Sequence, residues 1–181
     1  KFWIVPKIIF NLALLFFIYS GFVLWYKRSK KSKKVVFKTV AKEEADNVIL
    51  VGSETGNTYT FAKILQDALL AAGKSPLVSQ LNQYGQYKKV SHAIILTATY
   101  GDGEAPTNAR NFEKLFQTVQ QEQDLQYAVV GFGSLLYPGY CAFAIAVDTL
   151  LRTNQKWTET LPLYKINNQD FRAFQDWGRQ W

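Results

Sequence analysis

The chain has 181 residues, 15% of them aromatic, and a formal charge of +7 that would suggest a polyanion-binding protein. The charge is local: eight of the 21 Lys and Arg lie within 1–34, which holds no acid, leaving 13 bases against 14 acids beyond it. Nucleic acid is therefore not an expected partner.

A single cysteine, Cys141, excludes an internal disulfide and any multi-cysteine metal site. The sole histidine, His92, has no thiol or acid at ligand spacing, so no metal is expected and an edge position in the fold is favoured over chemistry. With Lys first and no Met anywhere, the chain is expected to be a fragment or a processed form.

Ile8 to Tyr26, IIFNLALLFFIYSGFVLWY, carry no charge. As a helix this run reaches about 28 Å, close to the roughly 30 Å hydrocarbon core of a bilayer. Trp3, Trp25 and Tyr26 sit at its ends, and KRSKKSKK follows at once. A cleaved signal peptide would carry its dense positive charge before the apolar run. The expectation is a transmembrane helix with flanks over 1–28, anchored in the inner membrane, with the remainder on the cytoplasmic side. Residues 29–46 read as a basic, polar tether.

From Asn47 to Trp181 strands alternate with helices. NVILVG is a buried strand. TYTFAKILQDALLAAG is a helix whose Phe61, Ile64, Leu65, Ala68, Leu69 and Ala72 share one face. SPLVSQ and SHAIILTAT are strands, NARNFEKLFQTVQ a helix, LQYAVVGFG a strand and GYCAFAIAVDTLLRT a helix. A weaker strand follows near Leu161–Ile166, then a last helix from Gln169. Apolar strand runs without alternation mark parallel strands covered on both faces, so the fold class is α/β, doubly wound, with a five-stranded parallel sheet.

Three loops then follow three strands and share one sheet edge. The first, Ser53, Glu54, Thr55, Gly56, Asn57 and Thr58, offers hydroxyls and successive N–H groups at a helix N-terminus, which suits an anion. A plain turn and helix cap would use the same residue types. It lacks the Lys of a Walker loop, which disfavours a nucleoside triphosphate with magnesium. The second, Ala98, Thr99, Tyr100, Gly101, Asp102 and Gly103, sets a ring beside two glycines; alone it could be a tight turn leading to a helix. The third, Phe132, Gly133, Ser134, Leu135, Leu136, Tyr137, Pro138, Gly139, Tyr140 and Cys141, repeats the pattern of aromatics beside glycine and proline. Together the loops describe a site for a planar ring with a phosphate tail. Asp102 and Glu104 suit solvation or partner docking better than acid–base work, and Cys141 has no partner for a nucleophilic role.

The stretches SETGNTYTFA, ATYGDGEAPTNARNF and FGSLLYPGYCAFAIAVDTLL resemble the flavodoxin-like FMN module of the diflavin reductases: cytochrome reductase, nitric oxide synthase reductase and the sulfite reductase flavoprotein. The likeness covers about Asn47 to Trp181. The apolar helix weakly resembles the last membrane helix of PepSY-type proteins.

The resemblance implies that Ser53–Thr58 bind the FMN phosphate and that Ala98, Thr99, Tyr100, Gly101 and Gly103 line the ring. Phe132, Gly133, Ser134, Tyr137, Tyr140 and Cys141 would cover its other side, with Tyr137 stacking. A backbone carbonyl near Gly101 would meet the ring nitrogen that is protonated on one-electron reduction. It further implies an oxidoreductase component without catalytic side chains of its own. FAD and NADPH would belong to a partner or a missing module, and the electrons would pass to a haem, iron or other acceptor protein. Relatives carry an acidic Gly-Asp loop where this chain has Asn167 and Asn168, which suggests the alternative of a cofactor-free scaffold for interactions at a membrane.

Overall fold

A computed structural model describes residues 4–30 and 35–181, with the side chains of 4–6, 8–9 and 26–30 outside the description. The chain divides into two compact units, Lys1–Lys34 and Val35–Trp181.

In the first unit α1 runs Ile4–Lys30. Leu12, Leu14, Leu15 and Phe17 are all exposed, although they point to different sides of the helix. The expected membrane span lies on this helix, and part of it falls outside the described side chains. Among the described residues, no helix is long and apolar enough to cross a membrane.

The second unit is built on β1 (Asn47–Gly52), β2 (Pro76–Gln80), β3 (His92–Ala98), β4 (Leu125–Gly133) and β5 (Trp157–Asn167). All pair in parallel, in the order β2-β1-β3-β4-β5. Between them run α2 (Thr58–Ala71), α3 (Phe112–Thr118) and α4 (Ala142–Arg152), and α5 (Phe171–Gly178) closes the chain. Alternate residues of β1 feed two separate cores: Ile49 and Val51 pack with α2 and α5 through Phe61, Leu65, Phe174 and Trp177. Val48 and Leu50 pack with α3 and α4 through Phe112, Phe116, Val147 and Leu151. Because both faces are covered, every residue of β1 is buried.

Three sequence expectations need adjustment. The buried face of α2 is rotated: Ala62 and Gln66 are buried, whereas Ala68 and Ala72 are exposed. The cause lies in the segment expected to be a free tether. Its first two residues end α1 and residues 31–34 lie outside the description, but from Val35 it belongs to the compact unit. The Lys38 N–H donates to Gln66 Oε1 (3.0 Å), and Gln66 Nε2 returns a bond to the Lys38 carbonyl (2.9 Å). Phe37 meets Tyr59 edge-on, and Ala45 is fully buried.

The helix expected over 108–120 is shortened, with a single 3-10 turn at Thr107–Ala109 ahead of α3. The weak fifth strand is a full-length edge strand, Trp157–Asn167. Its sequence signal is faint because it is half exposed, contains Pro162 and shifts register against β4 near Ala128.

Candidate functional site

The sheet order reverses between β1 and β3, so the loops after these strands diverge to leave a crevice. In the first loop Gly56 takes a left-handed backbone (φ 87°), and its N–H donates to Ser53 Oγ (3.0 Å). Asn57 provides no side-chain cap for α2. The N–H groups of Glu54, Thr55 and Asn57 have no acceptor among the described residues. Several unsatisfied donors at a helix N-terminus form a ready anion cradle.

Residues beyond the second loop hold this cradle in place. The Glu54 carboxylate accepts from the Thr107 N–H (2.7 Å) and hydroxyl (3.1 Å). These bonds, with a smaller contribution from the Arg110 charge, hold its pKa below the ordinary value. Glu54 therefore offers an incoming anion only its backbone donor. Asn108 Oδ1 accepts from the Ser53 N–H (2.7 Å), while its Nδ2 donates to the Val51 carbonyl (3.3 Å) and to the Tyr59 hydroxyl (3.0 Å).

The second loop folds back on itself as an isolated antiparallel bridge between Tyr100 and Glu104. Tyr100 N–H donates to the Glu104 carbonyl (2.9 Å) and Glu104 N–H to that of Tyr100 (2.7 Å). Gly101 (φ 52°) and Gly103 (φ 124°) turn the chain. The third loop packs directly on this turn, and a Cβ at Gly139 would lie 2.6 Å from the Asp102 carbonyl oxygen. Close backbone approach explains the glycines, and it sets Tyr100 and Tyr137 at the same cleft. Both rings are exposed, 45% and 59% respectively.

The cleft measures about 530 Å³ and brings together most of the expected residues: Glu54, Thr55, Thr58, Ala98, Thr99, Tyr100, Gly101, Phe132, Gly133, Ser134 and Tyr137. Ser53, Gly56 and Asn57 shape the cradle without lining the cleft. Gly103 packs against Ala142 and Gly139.

Two expected contacts lie elsewhere. Tyr140 is half buried, with Lys165 Nζ 5.8 Å from its ring centre. Cys141 is fully buried in the left-handed region (φ 55°) ahead of α4, and burial pushes its thiol pKa up. The sequence pattern put both beside Tyr137, but the turn into α4 directs them inward.

Asp102, Asn168 and Gln169 also line the cleft. The last two belong to the loop after β5, whose role could have been inferred from its place at the same strand edge. His92 stands at the start of β3, bonded through Nδ1 to Ser91 Oγ (2.8 Å) and remote from the loops at the strand ends.

An anion cradle, two exposed tyrosine rings and a crevice at the switch point define a site for a phosphorylated planar ring. The chain matches the flavodoxin family over residues 49–175 and belongs to it. It is 32% identical over 134 residues to inducible nitric oxide synthase of Oncorhynchus mykiss, covering 72% of this chain and 28% of that protein. It is 34% identical over 110 residues to the sulfite reductase [NADPH] flavoprotein alpha-component of Photobacterium profundum, covering 57% of this chain and 18% of that protein. The chain thus spans less than a third of the length of these relatives.

In fold it is similar to a flavodoxin from Streptococcus pneumonia TIGR4, with TM-score 0.61, 22% identity, and 74% and 93% of the two chains covered. The protein is a flavodoxin-like electron-transfer domain related to the diflavin reductases, and its cofactor is FMN. The site fits that cofactor, having unpartnered donors for a phosphate and aromatic faces for a ring.

Proposed function

We propose that this chain is the membrane-anchored FMN module of an NADPH-dependent flavin reductase. It would take electrons from an FAD- and NADPH-binding partner and pass them one at a time to a haem, iron or other acceptor protein. The observation that carries the reading is the cradle of free N–H groups opening on the same cleft as Tyr100 and Tyr137.

Bound FMN supplies the redox chemistry, accepting electrons in pairs or singly. The residues of the chain supply binding, orientation and electrostatics. The N–H groups of Glu54, Thr55 and Asn57, with the hydroxyls of Thr55 and Thr58, would hold the phosphate. Tyr100 and Tyr137 would flank the ring and exclude water from its faces. The Gly101 carbonyl accepts no hydrogen bond among the described residues, which leaves it free to take a proton-bearing ring nitrogen. The altered loop that suggested a cofactor-free scaffold lies in the wall of this cleft, and the match to the flavodoxin family supports a cofactor there instead.

The anchor rests on the charge-free run Ile8–Tyr26, the basic collar behind it and the apolar residues exposed around α1. Orientation by the positive-inside rule puts the flavin domain at the cytoplasmic face of the inner membrane. The full chain should then stay in the membrane fraction through a carbonate wash; release into the supernatant would refute the anchor.

Titration with FMN and with riboflavin tests the site. Two charge-assisted bonds to the phosphate are worth about 3 kcal/mol, or roughly 100-fold in affinity. Equal affinity for the two ligands would remove the cradle from the account.

A further inference from the structure

The polar segment ahead of β1 runs against α2, the helix whose N-terminus forms the cradle. Gln66 of α2 is fully buried and spends its side chain on holding this segment. Its Oε1 accepts from the Lys38 N–H (3.0 Å), and its Nε2 donates to the Lys38 carbonyl (2.9 Å) and to the Pro76 carbonyl (3.3 Å). Further along, Lys42 Nζ lies 5.1 Å from the centre of the Tyr87 ring, and Asp46 Oδ1 accepts from the Ser75 N–H (2.8 Å). A segment held at three points is a strap rather than a tether.

Tyr59 stands two turns before Gln66, on the same face and in the first turn of α2. The Phe37 ring meets it edge-on, with centres 5.9 Å apart. The Tyr59 hydroxyl accepts from Asn108 Nδ2 (3.0 Å), and Asn108 Oδ1 accepts from the Ser53 N–H (2.7 Å). A phenol oxygen stands far from its backbone, so a small swing of the ring carries it out of hydrogen-bond range. Phe37 closes off part of that swing.

We propose that Phe37 is a positioning residue for phosphate binding: the strap, docked through Gln66, sets the Tyr59 ring, the Tyr59 hydroxyl fixes Asn108, and Asn108 holds the Ser53 end of the cradle. No described residue of the strap lines the cleft, so the strap acts on the phosphate grip and not on the flavin ring. The inference rests on the FMN reading above.

The full chain in detergent is titrated with FMN and with riboflavin. Tyr59→Phe keeps the ring and loses the hydroxyl. It and Phe37→Ala should each weaken FMN binding about two- to tenfold and leave riboflavin binding unchanged. Because both act through one hydroxyl, the double variant should be no worse than the weaker single one. Val36→Ala, at a residue 78% exposed, is the unaffected control. In the apo-protein, amide exchange at Ser53 should quicken in both variants, while the Ser75 N–H, bonded to Asp46, keeps its rate. Coupling is reciprocal, so FMN should slow exchange of the Lys38 N–H in wild type and riboflavin should not.

Variants that weaken FMN and riboflavin alike, effects that add in the double variant, or unaltered Ser53 exchange would overturn the positioning role alone. Wild-type protein that binds no FMN would overturn that role together with the FMN reading.

Discussion

Replacing Asn108 with Ala removes one side chain that ties three pieces of the site together. Its amide holds the Ser53 N–H at the start of the cradle, the Val51 carbonyl at the end of β1, and the Tyr59 hydroxyl on α2. A neutral hydrogen bond contributes about 1 kcal/mol net, and a buried donor left unpaired costs about 1–3 kcal/mol. Ser53 is buried at 7% exposure, so its N–H loses a partner that water reaches poorly. With the 3.3 Å bond counted as weak, the loss comes to about 3 kcal/mol.

For a domain of this size that corresponds to a fall of roughly 6–12 °C in melting temperature. Asn108→Asp keeps the acceptor for Ser53 but loses both donors, and should fall between Ala and wild type. The assay is thermal melting by circular dichroism, paired with FMN titration, in which Asn108→Ala should also bind FMN more weakly because the cradle is no longer fixed. Melting within 1 °C of wild type with unchanged FMN affinity would show that Asn108 does not position the site.

Gly139→Ala would drive a Cβ into the Asp102 and Gly103 backbone, and should cost about 1–3 kcal/mol and weaken FMN binding. Gly85→Ala, which meets only the flexible end of Lys42, is the near-neutral control in the same melting assay. Glu54 has a lowered folded pKa through its bonds to Thr107, so its contribution to stability is present above the ordinary value of 4.5 and is lost as pH falls through the folded pKa. Carboxyl chemical shifts followed by NMR should therefore titrate below 4.5 in wild type and closer to it in Thr107→Ala, which loses the hydroxyl donor but keeps the backbone N–H. Cys141 should resist aromatic disulfide reagents in the folded protein and react only on unfolding, since it is buried and its thiol is held protonated.

The buried strands β1, β3 and β4 were legible because covered parallel strands read as unbroken apolar runs, and their order in the chain already placed three loops at one edge. β5 was faint because an edge strand alternates and tolerates Pro162. The loop behind it was accordingly missed as a wall of the cleft. The two tyrosines at the cleft could be read from their glycine neighbours, but Tyr140 and Cys141 could not be separated from Tyr137, because the left-handed turn at Cys141 is set by packing against Gly133. Asn108 was hidden for another reason: its three bonds reach residues 49 to 57 positions away, and no local pattern records them. The polar segment before β1 was misread for the same cause, since Lys38 is held through its backbone by Gln66.

The most direct test is the visible absorption spectrum of the full chain in detergent, incubated with FMN, desalted and then reduced stepwise without oxygen. A flavin spectrum that survives desalting, and is reduced in two separate one-electron stages, is the predicted result. A folded but colourless protein would contradict the central claim that this cleft is an FMN site.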